Sequence, residues 1–213
     1  MSVLNIDAIV EQGYQFEKLD ENIILIKNFL TDEDLKILWD IISNSTKEDW
    51  GLQLHYTKHL EDRAEEMTGS RDVEAAGIER TANWDDKVTA LSGKTHLNNE
   101  LANRVANMFN EDCGFEFRDF GTIQRMYDGT ELKAHYDDRA DIRHVWASVV
   151  YINDDYKGGE LFFTNKNIEI KPPAGSIMIF PATEEYEHGV RHVLEGPIRY
   201  VLPAFIFDHS RKQ

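Results

Sequence analysis

A chain of 213 residues with 41% hydrophobic content can fill one core of ordinary size, which excludes wholesale disorder. Its 39 acids against 23 Lys and Arg leave a net charge of −16, spread along the chain, and a field of that sign disfavours general binding to nucleic acid. The single cysteine, Cys113, excludes an intrachain disulfide framework and a cysteine-based zinc site, and fits a reducing cytoplasm. The opening "MSVLNIDAIVEQGYQ" lacks the basic start and apolar run of a signal peptide, and no apolar segment is long enough to span a bilayer. A soluble cytoplasmic protein with no membrane partner is the expectation, and the acidic surface suits solubility or a basic partner.

Residues 1–22 are mixed in pattern and read as an N-terminal arm. "NIILIKNF" (22–29) predicts a short buried strand. Thr31 then has the chemistry of a helix N-cap, acids follow in the first turn, and Leu35, Leu38, Ile41 and Ile42 share one face. The stretch 46–82 is polar and poorly periodic, and reads as an inserted loop, a loosely helical flap or a lid outside the core; Trp50, Tyr56 and the acidic "EDRAEE" are its notable residues. A second helix is expected over 94–110, with Leu97, Leu101, Val105 and Met108 on one side.

From Phe117 the texture becomes β-rich, with short runs at 119–127, 145–152, 160–163, 167–170, 176–180, 187–193 and 199–207. The turn signals "YDG", "YKGG", "TNKN", "PPAG" and "EGP" separate them. Strands this short and regular indicate a β-sandwich or barrel with supporting helices. A single domain over 1–213 is expected, its β core at 117–207.

Two residues in "YDGTELKAHYDD" can carry metal chemistry. His135 and Asp137 are two apart, so in extended chain both side chains reach the same side. A third ligand could come from His188 or His192 in "EYEHGVRHVLEGPIRYVL". Two histidines and one carboxylate make the facial set that leaves positions open on iron. The similar His59-Leu60-Glu61, and the pair His55 and His59, lack a β context and read as a solvated helical face.

Four ordered motifs give this pair its company. They are "YDGTELKAHYD", "VVYINDDYKGGELFF", "IKPPAGSIMIF" and "HGVRHVLEGPIRYVL". Together they resemble the 2-oxoglutarate- and Fe(II)-dependent oxygenases of the prolyl 4-hydroxylase-like superfamily, from about Ile23 to Phe207. The resemblance implies a mainly β fold with flanking α: a double-stranded β-helix (jelly roll, cupin-like) with N-terminal supporting helices. It implies His135, Asp137 and His188 as catalytic metal ligands, with His188 rather than His192 as the distal histidine. Arg199 matches the basic residue that pairs with the distal carboxylate of 2-oxoglutarate, although Ile198 adds one residue to the usual spacing and leaves Arg191 as a competitor. Tyr127 matches a tyrosine that contacts the co-substrate. Gly158 and Gly159 read as turn formers, and His144, His192 and His209 as structural. Asp138 is expected to point away from the metal.

The implied reaction is oxidative decarboxylation of 2-oxoglutarate to succinate, using Fe(II) and O2, coupled to hydroxylation of a second substrate, with ascorbate as a candidate reductant. Family analogy makes that substrate a protein or peptide side chain, prolyl first. An acidic lid, with Trp84 as a further wall, would suit a basic peptide. The competing expectations are a non-catalytic metal-binding jelly-roll module, and an oxygenase acting on a small molecule or nucleobase.

Overall fold

The computed structural model describes residues 3–52, 64–72, 75–77, 88–92, 96–117, 120, 122–138 and 144–208. The chain opens with α1 (Ile6–Glu11), capped by the Asn5 side chain, which accepts from the Ala8 amide. Strands β1 (Phe16–Lys18) and β2 (Ile24–Ile26) follow as an antiparallel pair. Helix α2 (Asp32–Asn44) starts at the expected Thr31 in a capping box closed by Asp34. Then come β3 (Trp50–Leu52), β4 (Val88–Ser92) and α3 (His96–Ala106). Arg104 of α3 pairs with the buried capping Asp34 at 2.6 Å and so ties the two longer helices together.

The remaining strands are β5 (Glu116–Phe117), β6 (Thr122–Met126), β7 (Leu132–His135), β8 (His144–Tyr151), β9 (Lys157–Gly158) and β10 (Leu161–Phe163). After them come β11 (Ile168–Ile170), β12 (Ile177–Pro181), β13 (His188–Val190), β14 (Val193–Leu194) and β15 (Arg199–Phe207). Among the described residues they form a nine-stranded sheet in the order β1-β2-β12-β8-β15-β6-β4-β3, with β5 also paired to β15. A smaller sheet runs β11-β10-β13-β7, and β14 pairs with β9. This mainly β architecture with a few helices is the jelly-roll class expected from the sequence.

Strand alternation gives the large sheet two different faces. Ile24, Ile26, Trp146, Val150, Ile177, Ile179, Leu202 and Ile206 belong to one apolar cluster with Leu38 and Ile42 of α2 and Leu97, Leu101 and Val105 of α3. This is the outer core. Their neighbours Leu25, Ala147, Tyr151, Met178, Phe180 and Val201 belong to a second cluster with Leu161 and Phe163 of the small sheet. This inner core holds the space between the sheets.

The N-terminal half departs from the sequence expectations. Within the stretch read as an N-terminal arm, Leu4 and Ile9 are buried in the outer core and β1 edges the large sheet. Nor is the start of 46–82 a loop outside the core. Trp50–Leu52 pairs with Val88–Ser92, and the Trp50 ring is buried with its Nε1 donating to Ser45 Oγ at 2.7 Å. A burst of charged residues hid a three-residue strand anchored by one indole. The expectations for His55, Tyr56, His59, Glu61, Trp84 and His209 lie outside the described residues. The predicted strand 187–193 is broken into β13 and β14 at Arg191 and His192, both exposed.

Candidate functional site

Strand β7, unmarked in the sequence pass, is what carries His135. It pairs with β13 so that His135 and His188 face each other across the ladder, with a register shift before the next pair, Leu132 and Val190. The close approach depends on Gly189. A β-carbon there would come within 2.6 Å of both the Leu132 carbonyl oxygen and the Phe162 ring. Asp137 follows the strand, and its amide donates to the Ala182 carbonyl at 3.0 Å, which holds the turn onto the end of β12.

His135, Asp137 and His188 thereby come together, with one ligand atom from each within 4.8 Å of the others. His135 Nε2 lies 3.6 Å from Asp137 Oδ1, and His188 Nε2 lies 3.6 Å from Asp137 Oδ2. The opposite nitrogens are both tied to the backbone two residues earlier: His135 Nδ1 to the Lys133 carbonyl at 2.8 Å, His188 Nδ1 to the Tyr186 carbonyl at 3.0 Å. A carbonyl oxygen can only accept, so in each ring Nδ1 carries the proton and the Nε2 lone pair faces the carboxylate. That is how outer contacts orient histidines for a metal.

Burial lowers the pKa of His188 to about 4, further than the attraction of Asp137 raises it, so its imidazole is neutral at ordinary pH. Phe180 packs edge-on against the ring at 4.6 Å between centroids, and Phe163 lies at 5.8 Å. Two imidazoles and one carboxylate suit a divalent ion with open positions and leave it net positive charge. The donor set fits Fe(II).

Arg199 begins β15 on the face that looks into the inner core. It is 2% exposed, yet its Nε has no hydrogen-bond partner, and one terminal nitrogen reaches only the Met126 sulfur at 3.2 Å. The guanidinium carbon lies 5.4 Å from the Tyr151 ring centre and 5.7 Å from that of Tyr156. Both phenols lie in the field of this cation, and each hydroxyl is buried with no partner other than the guanidinium itself. Burial raises the pKa of both, so they are protonated donors. Gly159, at φ +66°, closes the wall, since a β-carbon there would meet Arg199 Cδ at 3.1 Å and the Tyr156 ring at 3.2 Å. A buried cation with no carboxylate beside it among the described residues and an unmet Nε is costly in a folded protein unless an anion completes it. These groups fit a carboxylate.

Asn153 holds this arginine in place. Its side-chain nitrogen donates to the Ile198 carbonyl at 2.8 Å and its oxygen accepts from the Tyr200 amide at 2.9 Å, one bond on each side of Arg199.

The other sequence candidates lie elsewhere. The guanidinium of Arg125 is 5.2 Å from the Tyr127 ring and 4.0 Å from Trp50, so Tyr127 belongs to a group on the opposite face of β6 from Met126. Arg191 pairs with Glu169 at 2.7 Å, and His192 with Glu131 at 3.2 Å, both at the surface. His144 stacks on Phe205 at 4.2 Å. Asp138 is outside the three-residue cluster, its amide donating to the Ala182 carbonyl at 2.8 Å. Sequence reasoning passed over Tyr151 and Tyr156. Tyr151 meets Arg199 only through the strand register: it pairs with Val201, which is two residues from Arg199 on the same face.

Residues 121–207 match the family model described as the 2OG-Fe(II) oxygenase superfamily. Among curated proteins, prolyl 3-hydroxylase 3 of Mus musculus is 38% identical over 56 residues, which is 24% of this chain and 8% of that protein. Prolyl 3-hydroxylase 2 of Homo sapiens is 36% identical over 68 residues, 30% of this chain and 10% of that protein. The chain thus spans a small fraction of the curated relatives it matches.

Two solved structures share the fold. The viral collagen prolyl hydroxylase from Paramecium Bursaria Chlorella virus-1, in its 2OG complex, superposes with a TM-score of 0.61 at 16% identity, over 88% of this chain and 96% of that one. The prolyl hydroxylase from Trichoplax adhaerens, in complex with a hypoxia inducible factor oxygen degradation domain peptide fragment, gives 0.64 at 15% identity, over 96% and 89%.

Proposed function

From the match of residues 121–207 to the 2OG-Fe(II) oxygenase superfamily model, we propose that this protein is a 2-oxoglutarate-dependent dioxygenase that hydroxylates a protein or peptide side chain, prolyl first. The observation that carries the reading is the paired orientation of His135 and His188, both with Nδ1 on a backbone carbonyl and Nε2 toward Asp137. The relatives named prolyl 3-hydroxylases support the prolyl side chain as the acceptor.

Fe(II), when bound, supplies the activation of O2 that couples decarboxylation of 2-oxoglutarate to insertion of one oxygen atom into a C–H bond. The chain's own residues do the rest. His135, Asp137 and His188 would hold the metal and leave it net positive, which would favour an anionic chelating co-substrate. Arg199 receives the distal carboxylate of 2-oxoglutarate, since a guanidinium fork matches a carboxylate in geometry as well as charge. Phe163 and Phe180 shield the His188 side from water.

The test is succinate release from 2-oxoglutarate with Fe(II) and ascorbate, with and without proline-containing peptides, read beside a search of treated lysate for products heavier by one oxygen. Succinate that disappears in His135→Ala is expected. Tight metal binding with no succinate from any peptide would instead identify a metal-binding jelly-roll module without turnover.

A further inference from the structure

His135 and His188 stand on β7 and β13, where the ladder between the strands fixes both backbones. Asp137 has no such support, because it lies past the end of β7 and outside the described strands. Its carboxylate nonetheless reaches both imidazoles, at 3.6 Å from each Nε2. Something other than a sheet holds it there.

A closed circuit of hydrogen bonds does so. The Ala182 carbonyl, just past β12, accepts from the Asp137 and Asp138 amides at 3.0 and 2.8 Å. The Ala182 amide donates in turn to the Val145 carbonyl of β8 at 3.0 Å. His144, the residue before Val145, completes the circuit, its Nδ1 lying 3.2 Å from the Asp137 carbonyl oxygen. A carbonyl oxygen can only accept, so Nδ1 carries the proton and donates. Both backbone polar groups of Asp137 are thus engaged, and they set the direction in which its side chain leaves the chain.

The imidazole is itself held. It lies parallel to the Phe205 ring, 4.2 Å away with 3° between the planes, and meets Phe207 edge-on at 4.7 Å. At 9% exposure it is buried. A phenylalanine would fill the same aromatic slot without a polar group to desolvate. The donor, and not the ring alone, accounts for a histidine at this position.

We propose that His144 is a positioning residue for the metal centre: its Nδ1–H fixes the Asp137 carbonyl and so aims the carboxylate at the ion. This rests on the metal site of the dioxygenase reading, and the experiment separates the two. Mn(II) affinity by calorimetry and the thermal midpoint of the metal-free protein are measured for wild type, His144→Phe and His144→Asn. The Phe variant keeps an aromatic ring and loses the donor. The Asn variant keeps a donor at the δ position and loses the ring.

His144→Phe should lower Mn(II) affinity about 10- to 100-fold, the range for groups that orient metal ligands, with a midpoint near that of wild type. His144→Asn should bind Mn(II) much as wild type does, while its midpoint falls by about 1–6 °C for the lost aromatic contacts. A residue that served packing alone would give the reverse, with affinity following the midpoint. Wild-type affinity in His144→Phe, or an equal loss in His144→Asn, would overturn the role of His144 and leave the metal site and the dioxygenase reading intact. Wild-type protein that binds no Mn(II) would overturn both. Should His144→Phe fail to fold, His144→Leu, which also lacks the donor, is read against His144→Asn with the same outcomes.

Discussion

The two faces of the large sheet are built from adjacent residues of the same strands, yet they are finished differently. The outer face meets α2 and α3 through Leu, Ile, Val and Phe side chains, and its few buried polar groups are answered, as Asp34 is by Arg104 and Ser148 by the Ala204 carbonyl. The inner face carries Arg199 and Tyr151, with Tyr156 in the turn after β8 and His188 on the small sheet packed against Phe180, and Arg199 Nε is a donor that the protein does not use. One face is closed by the chain itself. The other is complete only with something added, and the difference marks where stability was set and where chemistry is done.

The comparison can be broken by substitutions that should act oppositely on the two faces. The largest effect is expected on the inner side. Arg199→Met should weaken 2-oxoglutarate about 30- to 5000-fold, the range for truncating one partner of a buried charge pair. The ligand-free protein should lose no stability, because a buried unpaired cation has been removed. Calorimetric affinity beside urea unfolding would show this, and a large loss of stability would mean that the cation is already satisfied.

On the outer side, Leu101→Ala in α3 should lower unfolding free energy by about 2–5 kcal/mol, and folded protein should keep its 2-oxoglutarate affinity. Altered affinity there would show that the faces are coupled.

A third effect depends on pH. Burial raises the pKa of Asp34, but hydrogen bonds from Arg104 and Thr31 outweigh it and hold the carboxyl below its usual range. A carboxyl depressed in the folded state stabilises fully above its unfolded pKa, and the contribution is lost as pH falls through the folded value. The urea midpoints of wild type and Asp34→Asn should therefore differ most near neutrality and converge below about pH 4. A gap that persisted or widened in acid would contradict that sign.

The smallest effect is expected at Asp138→Ala, which should leave Mn(II) affinity unchanged. If it abolished binding while Asp137→Ala did not, the register of the metal site would be wrong.

The site was legible in the sequence where it is local and obscure where it depends on pairing. His135 and Asp137 sit two apart, and the motif that opens at His188 marks a third residue; the structure gathers all three. Arg199 is reached through the family resemblance of that same motif. Tyr151 and Tyr156 could not be reached so, because their relation to Arg199 passes through the β8–β15 register and the turn at Gly159, and neither is written in residue types. The fold shows the same division. The β-rich run after Phe117 and the Thr31 cap follow from periodicity and local hydrogen bonding. Strand β3 does not, because three residues carry no period and only the buried Trp50 secures them.

The paired bonds from Asn153 to Ile198 and Tyr200 also bear on how this pocket can tolerate change. Strand phase is binary: a slip of one residue would turn Arg199 outward and put Tyr200 inside. Asn153 fixes that phase from a separate strand end, so the "EGPI" segment before it can vary in length without carrying the arginine with it. The extra residue at Ile198 is then a difference of slack, not of alignment. Loop length is free here, and parity is not.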